Sequence, residues 1–145
     1  MSIRDMRTRF VEAFPLSQTR GAIIDGLAAV VQRLSCVRIV GHLWADGSFL
    51  TRKIDPDDVD LLLRITGEFF DNATVEQREA IVWYVQGDLK ASHHCDCYVS
   101  IDWPCDHPAY MESEWWRAYW IKQYGFSRGV QMKGIAVIEL PGNEA

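Results

Sequence analysis

Helix and strand signals alternate along this chain, and that alternation predicts an α+β fold with α/β-type layers. Three stretches carry the reading. Residues 17–34 place Ile23, Leu27, Val30, Val31 and Leu34 on one stripe at helical spacing. Residues 36–44 are rich in Val and Ile and read as a strand. Asp58 to Ile65 alternates carboxylates with apolar residues and reads as a second strand.

The other elements follow in order. Ser17 or Thr19 can cap the first helix. Gly47 and Ser48 form a tight turn after the first strand, and Asp55-Pro56-Asp57 is a second turn signal. Thr74 opens a helix, with Gln77 at the capping-box position, that should run to about Gln86. Cys95 to Ile101 reads as a strand. A helix over Glu112 to Gln123 is closed by Gly125. Lys133 to Leu140 reads as the last strand.

The 145 residues suit one domain, taken as 1–145. Hydrophobic content of 48% with 24% charged residues argues against disorder along the whole chain. The net charge of -5 disfavours wholesale coating of nucleic acid, because phosphate neutralisation needs clustered Lys and Arg. No apolar run approaches a membrane span, and the arginine-bearing N-terminus lacks the pattern of a secretory leader. A cytoplasmic location with free thiols at Cys36, Cys95, Cys97 and Cys105 is therefore expected, with no membrane partner.

The chemistry concentrates between residues 47 and 60. On a strand, Asp58 and Asp60 share a face with Leu62, while Val59, Leu61, Leu63 and Ile65 share the opposite, buried face. Two carboxylates at this spacing repel each other, and a hard cation offsets the repulsion. Mg²⁺ takes one or two carboxylates plus substrate phosphates. Gly47 lets the backbone approach a phosphate closely, and the Ser48 hydroxyl adds a donor. Standing alone, Asp-Val-Asp reads more readily as the solvent-facing side of an edge strand. The preceding Gly-Ser turn changes those odds.

The run from Gly47-Ser48 through Phe49-Leu50-Thr51-Arg52-Lys53-Ile54-Asp55-Pro56-Asp57 to Asp58-Val59-Asp60 resembles the signature of the nucleotidyltransferase superfamily, to which polymerase beta belongs. That signature is Gly-Ser, a spacer, then two acidic residues flanking one apolar residue on a strand. The wording is similar to a small bacterial and phage branch, as are Trp120 to Gly125 and Lys133-Gly134-Ile135. The resemblance runs from about residue 17 to 140. It implies a mixed sheet with helices packed mainly on one side. It assigns metal binding to Asp58 and Asp60, and phosphate binding to Gly47 and Ser48. It also implies a third carboxylate on a neighbouring strand, for which Asp96 is preferred and Asp102 is the rival. In better-known minimal members small and basic residues follow Gly-Ser directly; here Phe49-Leu50-Thr51 precedes Arg52 and Lys53.

The chemistry so implied is transfer of a nucleoside monophosphate from a nucleoside triphosphate such as ATP to a protein or RNA acceptor, assisted by two Mg²⁺ ions. Asp58, Asp60 and Asp96 are the expected metal ligands, with Asp96 as ligand or base. Lys53 and Lys133 are candidates for balancing phosphate charge, or plain surface lysines. Small members of the superfamily occur in toxin–antitoxin and phage-defence modules, so a partner protein of such a module is also expected. The competing expectation is a catalytically silent, antitoxin-like subunit that binds nucleotide or neutralises a partner.

Two other constellations weigh less. His93, His94, Cys95, Cys97, Cys105 and His107 are close in sequence, but their spacing matches no paired Cys-x-x-Cys pattern. Cys95 and Cys97 are expected to point inward as small hydrophobes. Trp116, Tyr119 and Trp120 fall at the spacing of a buried helical stripe, and Trp115 projects elsewhere, where it could stack on a base or meet a partner.

Overall fold

A computed structural model describes residues 1–125 and 135–142. The chain opens with α1 (Ile3–Arg7), a π-helical turn (Thr8–Glu12) and α2 (Arg20–Cys36). Strand β1 (Gly41–Asp46) leads into a 3-10 turn (Ser48–Leu50) and β2 (Val59–Thr66). Helices α3 (Gly67–Asp71), α4 (Val75–Gln86) and α5 (Leu89–His93) carry the chain to β3 (Cys95–Asp102), and α6 (Tyr110–Gly125) precedes β4 (Ala136–Leu140). The fold is α+β.

The four strands form one mixed sheet in the order β3-β2-β1-β4. β1 runs antiparallel to β2 and β4, whereas β2 and β3 are parallel. A parallel pair cannot be joined by a hairpin, and α3, α4 and α5 supply the crossover.

Alternation along the strands divides the sheet into two faces. Leu43, Ala45, Val59, Leu61, Leu63, Ile65, Cys95, Ala136, Ile138 and Leu140 point into one core. Ile23, Ile24, Leu27, Val30, Val31 and Leu34 of α2 meet them there, with Ala80, Ile81 and Tyr84 of α4, Leu89 of α5 and Met6 of α1. The predicted stripe on α2 is thus the main helical wall of the core. Truncating a member such as Leu27 to Ala would cost about 2–5 kcal/mol.

Local capping agrees with the sequence in kind. Thr74 and Gln77 form a reciprocal capping box on α4. At α2 it is Ser17 that serves, its hydroxyl accepting from the backbone N–H of Arg20 at 3.1 Å, while Thr19 makes no side-chain cap. Gly26 of α2 lies against the carbonyl of His93, so any side chain there would push α5 away.

Two expectations are revised. β1 begins at Gly41 and not at residue 36, because α2 continues to Cys36 and the chain turns through Arg38 at φ 61°. Two residues of the expected stripe on α6 are not buried: Trp116 and Tyr119 are 41% and 38% exposed, and Trp115 beside them is 61% exposed. These rings pack on one another, with Trp115 parallel to Tyr119 at 5.8 Å between centroids. Among the described side chains of α6, Ser113 is buried beside β3, bonded to the backbone of Trp103 and Tyr110. The Trp120 side chain and Lys133 lie outside the described residues.

Candidate functional site

The face of the sheet turned away from α2 carries the polar residues. Pairing aligns Asp46 with Asp60 across β1 and β2, and Asp60 with Asp96 across β2 and β3. Three carboxyl-bearing residues therefore form one row across three strands. With strands about 4.8 Å apart, the row is roughly 10 Å long. Asp46 is 3% exposed, and Asp60 and Asp96 are half-buried.

Gly47 sits at one end of this row, directly after Asp46. It adopts φ 95°, which favours glycine. A Cβ at this position would lie 2.9 Å from Asp60 Oδ2, so the residue is bare on the side facing Asp60. The Gly-Ser turn and the acidic strand are thereby in contact. The turn is held by the Leu50 N–H donating to the Gly47 carbonyl at 3.1 Å and by the Thr51 hydroxyl donating to the Ser48 carbonyl at 2.7 Å. A cavity of about 240 Å³ opens beside Gly47, and Arg9 and Thr51 are among its lining residues.

Arg20 is a residue that sequence reasoning missed. It is fully buried at the start of α2. Its guanidinium donates to the carbonyls of Phe10, Phe49, Thr51 and Lys53 at 2.5–3.2 Å. It also lies over the Phe14 ring, 3.7 Å from the centroid. Burial lowers its pKa, partly opposed by Asp55. Asp55 in turn accepts from the Gln18 N–H at 2.8 Å. The segment from Phe49 to Lys53, which departs from the better-known members, is thus pinned to α2 through its own carbonyls. No single-residue signal marks this, since the partners are main-chain atoms far along the chain.

The other predicted residues divide. Asp58 precedes β2, and its carboxylate meets Lys90 of α5 at 3.5 Å. Asp96 stands in register with Asp60, whereas Asp102 is six residues along β3 and pairs with Arg64 at 2.8 Å. Lys53 is exposed, and its carbonyl serves Arg20. Asp46 was not singled out from the sequence. Strand parity would have found it, had β1 been read through to residue 46, since it shares a face with Trp44.

Tyr98 lies two residues beyond Asp96 on the same face, and its hydroxyl donates to Asp96 Oδ2 at 3.0 Å. Burial raises the phenol pKa above its ordinary value, helped by that hydrogen bond and by the negative charges of Asp96, Asp60 and Asp58. Asp58 thus stays within electrostatic reach of the row. On the opposite face Cys95 is buried and Cys97 packs against the core. Burial pushes the Cys97 thiol up to about 12 and the Cys95 thiol higher still.

Among the described residues, no three His, Cys, Asp or Glu side chains converge closely enough to hold a metal ion by themselves. The donor set is of the kind a hard cation takes when it completes its shell with phosphate oxygens: carboxylates on adjacent strands, with the Gly47 backbone packed against that of Asp60. Among the same residues, no helix is long and apolar enough to cross a membrane.

No curated protein and no solved structure matches this chain. The family model that does match covers residues 1–139. Its description names no activity, and on that match the chain belongs to DUF6932, a family of unknown function.

Proposed function

We propose that the chain is a Mg²⁺-dependent nucleotidyltransferase that moves a nucleoside monophosphate from a nucleoside triphosphate to a protein or RNA acceptor. The observation that carries this reading is the Asp46–Asp60–Asp96 row with Gly47 set against Asp60. Mg²⁺, when bound, would neutralise phosphate charge and activate the acceptor hydroxyl.

The residues of the chain divide the remaining work. Asp60 and Asp96 would hold the metal, with Asp46 and Asp58 adding negative potential. Gly47 gives a phosphate close access to the backbone, and the Ser48 hydroxyl donates to it. Arg9, beside the cavity at Gly47, and Lys53 would balance phosphate charge, as would Lys133 of the segment outside the described residues. Arg20 keeps the turn rigid, which matters because positioning supplies much of the rate in phosphoryl chemistry. A place in a toxin–antitoxin or phage-defence module, in the cytoplasm and beside a partner protein, belongs to the same proposal.

One observation favours the second reading, a catalytically silent nucleotide-binding subunit. Asp58, expected as a metal ligand, is engaged by Lys90. Incubation with α-labelled ATP, CTP, GTP or UTP, Mg²⁺ and cell lysate separates the two. Label on a defined acceptor, abolished by Asp96→Asn, is the expected result. Nucleotide binding without transfer to any acceptor would overturn the enzymatic reading in favour of the silent one.

A further inference from the structure

We propose that Tyr98 is an acceptor for the nucleotidyl group within this same chain, so that the protein modifies itself on that tyrosine in cis. The inference rests on the nucleotidyltransferase reading and names an acceptor for it.

Three observations carry it. Tyr98 lies on the same sheet face as the acidic row, one rung from Asp96. Its hydroxyl already donates to Asp96 Oδ2 at 3.0 Å, which is the geometry required for a base to receive the proton of an attacking hydroxyl. The residue is 41% exposed, so the ring can be reached by a substrate. The row itself sets the spacing. A polyphosphate anchored at Gly47-Ser48 on the β1 side must cross Asp60 to approach β3, and Tyr98 waits at that far side.

Neighbouring hydroxyls are less suited. Tyr84 is buried, and its hydroxyl donates to the carbonyls of Leu61 and Tyr98. Ser100 is buried two residues further from Asp96. The Thr51 hydroxyl is committed to the Ser48 carbonyl.

The step balances without any oxidant or reductant. Tyr98 Oη attacks the α-phosphorus of the nucleoside triphosphate, forming an aryl phosphodiester. The bond from the α-phosphorus to the bridging oxygen breaks, and pyrophosphate leaves with that electron pair. The phenolic proton passes to Asp96 and then to solvent.

The test is peptide mapping by mass spectrometry of the full chain after incubation with Mg²⁺ and each of ATP, CTP, GTP and UTP. Expected is one nucleoside monophosphate on Tyr98, formed at an initial rate per chain that does not depend on chain concentration. It should vanish in Tyr98→Phe and in Asp60→Asn, and persist in Tyr119→Phe, with a thermal melt confirming that each variant folds. Label on another residue, or only on an acceptor when cell lysate is added, with Tyr98 unmodified, overturns this inference and leaves the nucleotidyltransferase reading standing. A rate per chain that rises with chain concentration overturns modification in cis. If the wild-type chain shows neither label nor Mg²⁺-dependent nucleotide binding, both fall together.

Discussion

The two ends of one sheet face treat charge in opposite ways. At the far end, Arg64 pairs with Asp102 at 2.8 Å and lies over the Trp44 ring at 4.6 Å, and His42 approaches Glu139 at 3.8 Å. There the acids Glu139 of β4 and Asp102 of β3 flank the His42 imidazole of β1 and the Arg64 guanidinium of β2. At the near end, pairing of the same strands lines up Asp46, Asp60 and Asp96, three acids and no base. Like charges on directly opposed strand positions are unfavourable. A row of this kind is understandable where a cation and an anionic ligand complete it. The far end offsets its charges within the fold, and the near end gathers acids of one sign.

That contrast can be broken or sharpened by substitution. The largest stability effect is expected at Arg20, which fastens the near-end turn to the rest of the molecule. Arg20→Met leaves the carbonyls of Phe49, Thr51 and Lys53 without their buried donor and should destabilise the fold by about 3–5 kcal/mol in urea denaturation. A loss below about 1 kcal/mol would mean that the turn holds its shape unaided.

Gly47→Ala should follow. A side chain at φ 95°, 2.9 Å from Asp60 Oδ2, costs about 1–3 kcal/mol and closes the approach to Asp60. Nucleotide affinity should fall more than stability does, which calorimetric titration beside a thermal melt would reveal. Equal affinity in the variant would remove Gly47 from the site. Arg64→Met tests the other end. Losing a half-buried ion pair and a cation–π contact should cost about 1–2 kcal/mol and leave nucleotide affinity unchanged. A drop in affinity of tenfold or more would erase the division between the two ends.

The smallest effect concerns the thiols behind the row. Cys95 and Cys97 have folded-state pKa values raised by burial, that of Cys97 to about 12. Their unfolded values lie near 8.5. Raised folded values contribute stability that is complete below that unfolded value and is lost as pH climbs toward the folded one. The melting temperature should therefore decline from about pH 8.5 upward. In the native state at neutral pH a thiol reagent should modify Cys36 and Cys105, which are exposed, and reach the other two only after unfolding. Four equally fast thiols would contradict the burial of this face.

Much of the fold was legible because it depends on local pattern. The α2 stripe, the Thr74–Gln77 cap and the alternation in β2 each need only a few neighbouring residues. The Gly47-Ser48 turn and its link to Asp60 were legible as a motif. Asp46 was not, because its place depends on where β1 ends and on its register with β2. Arg20 and Lys90 were missed for a similar reason: their partners are distant main-chain carbonyls and a carboxylate just outside a strand. The α6 aromatics misled because helical spacing reports which residues share a side, not whether anything covers it.

The most direct test of the central claim is calorimetric titration of ATP, CTP, GTP and UTP into the wild-type chain and Asp60→Asn, each with and without Mg²⁺. Binding of at least one nucleotide that requires Mg²⁺ and weakens at least about tenfold in a folded Asp60→Asn, a change of about 1.4 kcal/mol, is the predicted result. Binding that is indifferent to Mg²⁺, or undiminished by Asp60→Asn, would contradict it.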